Sequence, residues 1–223
     1  MGGCTDCSSK GGCDERKGVQ RGLFDDVLAR VYPDRTWGRP DDEARFGAGV
    51  SRREVERLRR SLAEILRAPT FFRAGGDDDL CDFIYVLCVG REPALIELRD
   101  GLATPESERI DERYLRVALS SVARMGAVQE VAMTLVDGAT GAEVREAPRP
   151  GVFDPLLLGR MQKLVALLEA QDIAHIDFGL LDRPLENSAP GDYVERFGVE
   201  PRLANFLFFA DPPTTHSVTI VPR

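Results

Sequence analysis

Histidine is almost missing from the chain: His175 and His216 are the only two in 223 residues. That scarcity excludes a His-rich metal site, and no Ser, His and Asp set forms a triad pattern. Neither a P-loop nor a G-x-G-x-x-G stretch occurs, so a nucleotide enzyme has no support. No run approaches the ~20 apolar residues that span a bilayer. The basic-then-apolar order of a secretory signal is lacking, and Asp6 stands where a myristoylation motif wants Ser or Thr. An excess of positive charge is lacking too. Lys and Arg number 29 against 37 Asp and Glu, for a net charge of −8. A dominant basic surface for nucleic acid or an anionic membrane is therefore not expected. These absences lead to an expected cytoplasmic location with no nucleic-acid and no membrane partner.

What the chain does have is cysteine in one place. Cys4, Cys7 and Cys13, three of the five, are spaced C-x2-C-x5-C among Gly2, Gly3, Gly11 and Gly12. So polar and glycine-rich a stretch has no core of its own in which to bury thiols. Thiolates are soft ligands, and a two-residue gap lets two of them face one ion. Five is an odd count in a chain too long to need a disulfide framework, so reduced thiols are expected. Cys4, Cys7 and Cys13 are accordingly the candidate ligands of an iron–sulfur cluster or zinc, in a module over residues 1–21 ahead of an α+β domain over 22–223. The spacing matches neither the bacterial nor the plant-type ferredoxin pattern and does not choose between the two metals.

Along the domain, Leu23, Phe24, Val27, Leu28 and Val31 recur at helical spacing until Pro33. Trp37 and Phe46 anchor a following loop. Ser51 and Glu54 form a capping box before Val55, Leu58, Leu62, Ile65 and Leu66, with Arg52, Arg53, Arg57, Arg59 and Arg60 on the outer face. Asp82 to Val89 reads as a central strand and Ala94 to Leu98 as its neighbour. Gly75 to Asp79 is an acidic turn without the D-x-D-x-D-G order of a calcium loop. Leu115, Ala118, Leu119 and Val122 predict a helix that starts near Thr104 or Ile110 and ends at Gly126. Val131 to Leu135 and Ala142 to Ala147 predict a hairpin. Phe153, Asp154 and Pro155 open a helix with so few charges that most of it should be buried. Ile173 to Leu180 then alternates as a strand. A short helix over Tyr193 to Phe197 and strands near Ala204 to Phe209 and Ser217 to Val221 follow.

From 94 to 181 this order is strand, helix, strand, strand, helix, strand. That is the split β-α-β layout of ferredoxin-like α+β domains, here extended by further helices and strands. On the strand from Cys81, alternation puts Cys81, Phe83, Tyr85 and Leu87 on one face and Ile84, Val86 and Cys88 on the other. Cys88 is then expected as a buried, inert thiol. Cys81, at the strand entrance, is expected to be the more accessible of the pair and is the candidate fourth ligand, set against the reading of a simple buried cysteine. His175 and Asp177 share a strand face and are candidates for acid–base work. The functional expectation is a metal-binding accessory protein with a redox or assembly role and a protein partner. The alternatives are an enzyme using His175 and Asp177, or an adaptor that docks through its Arg-rich helix.

Overall fold

The computed structural model describes residues 24–37, 49–75, 80–90, 111–137, 142–149, 151–185, 189–208 and 217–221. Cys4, Cys7, Cys13 and Phe46, the acidic turn beyond Gly75, the strand expected at Ala94 to Leu98 and the helix starts at Thr104 or Ile110 lie outside these residues. Helix α1 covers residues 24–31, and α2 is Arg52–Leu66. Strands β1 (Thr70–Arg73), β2 (Cys81–Val89), β3 (Asp111–Ser120), β4 (Met125–Asp137) and β5 (Ala142–Pro148) follow. Helix α3 (Pro155–Ala170), strand β6 (Ala174–Ile176), the short helices α4 (Phe178–Leu181), α5 (Tyr193–Phe197) and α6 (Leu203–Leu207), and β7 (Ser217–Val221) complete the order.

The seven strands make one mixed sheet in the order β1-β2-β3-β4-β5-β7. Every pairing is antiparallel except that of β6, which runs parallel to β4 along Met125 to Ala127. Helices cover both sides of this α+β sheet. Phe83, Tyr85, Leu87, Tyr114, Ala118 and Met133 pack on one face with residues of α1, α4 and α6. Ile84, Val86, Leu115, Val117, Leu119 and Val128 pack on the other with α2 and α3.

Several elements form as their patterns predict. The capping box of α2 is complete: Glu54 N–H donates to Ser51 Oγ, and Ser51 N–H donates to Glu54 Oε2 at 3.0 Å. Val55, Leu58, Leu62 and Leu66 are its buried stripe, while Ile65, expected in it, is 46% exposed. Arg59 leaves the solvent face to make a two-pronged pair with Glu56 and to donate to Thr70 O at 3.1 Å, which ties α2 to β1. Trp37 is buried edge-on against Tyr193 and donates to Asn205 O at 3.1 Å, so it pins the C-terminal helices to the start of the domain.

Several expectations need correction. The stretch expected as a helix over Leu115 to Val122 is β3 and the turn after it, so the ferredoxin-like order does not hold across residues 111–181. β3 is buried on both faces, and a doubly buried strand loses the alternation that would have marked it. Gly126, expected to end that helix, lies inside β4 opposite Leu119; a Cβ there would stand 3.2 Å from Leu119 and from Leu168 of α3. Its bareness lets α3 approach the sheet. The strand expected over Ala204 to Phe209 is instead α6 as far as Leu207, and the one expected over Ile173 to Leu180 stops at Ile176.

The two sheet cysteines also exchange exposures. They lie on the expected opposite faces, but Cys81 is 4% exposed and Cys88 is half-buried. The β2–β3 register shifts between Leu87 and Val89, so Cys88 sits in an irregularity where the ladder opens. Cys81 pairs with Ser120 where the C-terminal segment closes over the strand, with Leu80 N–H donating to Phe208 O at 3.0 Å.

Helix α3 has the predicted cap: Asp154 Oδ1 accepts from Leu156 N–H at 2.8 Å, and Pro155 is at the first turn. Only Leu157, Leu164 and Leu168 are buried, whereas Leu156 is 80% exposed. Truncating Leu164 to Ala is expected to cost ~2–5 kcal/mol, against ~0.5–2 kcal/mol for Asp154→Ala. Leu156→Ala should stay within ~0.5 kcal/mol of wild type. Denaturant melts that reverse the order of Leu164 and Leu156 would show that α3 packs by another face.

Candidate functional site

The face of the sheet shared by Tyr85 and Tyr114 is mostly apolar and carries one connected polar row. Tyr85, Arg116 and Gln129 are lateral neighbours on β2, β3 and β4, and Glu146 reaches in from β5. Arg116 donates through Nε to Gln129 Oε1 at 2.6 Å and through Nη1 to Glu146 Oε1 at 3.0 Å; its Nη2 also donates to Gln129. Tyr85 donates its hydroxyl to the same Glu146 oxygen at 3.2 Å, and the guanidinium lies over the Phe83 ring. Further along β3, Glu112 accepts the hydroxyl of Tyr114, two residues away on the same strand. Glu112, Gln129 and Glu146 are all buried.

Charges in such a place cost several kcal/mol each to dehydrate, and pairing with hydrogen bonding offsets that cost. Each guanidinium nitrogen of Arg116 meets a protein acceptor, so the row can fix strand register and hold the Tyr85 phenol against the Glu146 carboxylate. Sequence reasoning missed it, although Glu112, Tyr114 and Arg116 alternate on one face. Reading this stretch as a helix concealed that period.

A second network anchors the helices of the opposite face. Buried Glu130 accepts the N–H groups of Phe153 and Asp154 through Oε2, at 3.3 and 3.2 Å. Arg113 lies between Glu130 and Asp154 and pairs with both. At the far end of α3, Arg124 donates to Asp172 O and Gln171 O, at 3.1 and 2.8 Å, and to Glu54 Oε1 at 3.1 Å. One guanidinium thus joins the start of α2 to the end of α3. Hydrogen bonds from Ser51, side chain first and backbone second, with a further contribution from Arg124, hold the Glu54 carboxyl down to about 2.

The site residues expected from sequence do not converge among the described residues. His175 is half-buried on β6, and burial pushes its imidazole below the usual range against the opposing pull of Asp177 and Glu169. Asp177 lies past the strand end, exposed, with Oδ1 accepting from Gly179 N–H as the cap of α4. Its carboxylate serves that cap. Cys81 is buried below α6, and burial raises the Cys88 thiol, which sits by Arg160 and contacts Val86 O at 3.4 Å. Among the described residues, no three His, Cys, Asp or Glu side chains are grouped to hold a metal ion. No helix among them is long and apolar enough to cross a membrane. No family model, curated protein or solved structure matches the chain.

Two outcomes follow from these networks. Removing either partner alone, in Arg116→Met or Glu146→Leu, is expected to cost ~3–5 kcal/mol by stranding a buried charge. The double variant should cost clearly less than the two singles added; strictly additive losses in urea melts would show that the pair is not coupled. For Glu54, a folded-state value near 2 against the ordinary 4.5 means stabilisation that is complete above about pH 4.5 and lost as pH falls toward 2. The stability gap between wild type and Glu54→Gln should therefore close on acidification over that window, and a gap independent of pH would rule the clamp out as its source.

Proposed function

We propose that this chain is a metal-binding accessory protein whose Cys4, Cys7 and Cys13 ligate an iron–sulfur cluster or zinc, and whose helix-flanked sheet is the body that carries it. The observation behind this reading is the C-x2-C-x5-C spacing in a glycine-rich stretch with no core to bury the thiols. Cys81 is the candidate fourth protein ligand; its burial means that ligation there requires the covering α6 segment to admit the metal. A cytoplasmic location and a redox or assembly role served through a protein partner suit reduced thiols in an acidic chain.

Protein purified anaerobically is expected to carry about one metal ion or cluster per chain, read by metal analysis and visible absorption. Replacing Cys4, Cys7 and Cys13 together by Ser should abolish that content and leave the unfolding transition in place. Full metal content in the triple variant would end the proposal.

A further inference from the structure

Helix α3 presents a contradiction between composition and burial. A helix this poor in charge belongs in a core, yet only Leu157, Leu164 and Leu168 are buried. Its outward side carries Leu156, Leu158, Gly159, Gln162, Lys163, Ala166, Glu169 and Ala170, all exposed. Leu156 is 80% exposed, and Phe153 just ahead of the helix is 59% exposed. A side chain added at Gly159 would meet nothing within 4 Å.

We infer that the outward face of α3 is the contact surface of a homodimer, in which two copies pack α3 in parallel about a two-fold axis running along the helices. Charge selects this occupant. The face has one cation and one anion, Lys163 and Glu169, and helical geometry places them on opposite flanks. Rotation about an axis along the helix swaps the flanks, so the Lys163 side of each copy meets the Glu169 side of the other. The neighbouring helix α2 could not be used in this way, since its exposed Arg53, Arg57 and Arg60 would face their own copies. Leu156 and Leu158 also lie on opposite flanks and meet across the same axis. Gly159 and Ala166, seven residues apart, fall on the line of closest approach, a heptad step that keeps two parallel helices in contact.

The test is molar mass in solution across a concentration series, by light scattering and sedimentation equilibrium. Wild type is expected to approach twice 24.6 kDa at high concentration. Leu156→Glu should shift it to the monomer with unchanged circular dichroism. Gly159→Glu is the sharper variant: it should raise the melting temperature of the protomer, because glycine weakens a helix interior, while removing the dimer. The contact is overturned if wild type is monomeric at about 100 µM, where a dimer with a dissociation constant of about 1 µM would be mostly assembled. It is equally overturned if a dimer persists at full strength in both variants. Loss of metal from Cys4, Cys7 and Cys13 should leave the dimer intact, so this inference stands or falls apart from the proposed metal site.

Discussion

Burial of the central strands on both faces is the constraint on which the rest of this fold depends. β2, β3 and β4 contribute apolar side chains upward to one helical layer and downward to another, so neither parity of residue is left for solvent. Transfer of that surface from water is the main stabilising term, at ~25 cal/mol per Å². Such a sheet also leaves its few polar side chains nowhere to find water. They must find one another, as Tyr85, Arg116, Gln129 and Glu146 do on one face, and as Glu130 does with the two N–H groups at the start of α3 on the other.

Those networks divide the labour of specifying the fold. Apolar burial is non-directional and would tolerate a slipped strand or a rotated helix. The buried carboxylates Glu130 and Glu146 tolerate neither, because a displaced partner strands a charge in a dry interior. Glu130 and Arg113 fix the start of α3, whereas Arg124 fixes its end and ties it to the cap of α2 through Glu54. The β3–β4 turn, which supplies Arg124, thereby sets how the two helices lie side by side.

The thiol-rich N-terminal stretch and the sandwich follow different physical logics. The helix-flanked sheet holds its own two cysteines singly, Cys81 buried and Cys88 half-buried in a ladder irregularity, where burial raises the Cys88 thiol against the opposing pull of Arg160. The N-terminal cysteines sit where the composition supplies no packing role for them.

By itself the sequence determined several features that are local. The Ser51 and Glu54 capping box, the Asp154-Pro155 start of α3, the stop of α1 before Pro33 and the parity of Cys81 against Cys88 each depend on residues within one turn or one strand, where the backbone period alone sets the geometry. Tertiary structure alone decided what depended on the second partner of an element. Leu115, Ala118, Leu119 and Val122 satisfy a helical period and a doubly buried strand equally, and only pairing with β2 and β4 selects the strand. Asp177 reads as part of an alternating strand until β6 ends after its brief pairing with β4 and the carboxylate caps α4. Arg116 and Glu146, 30 residues apart, become a pair only when β4 lies between their strands, since chain distance carries no information about which buried charge will meet which.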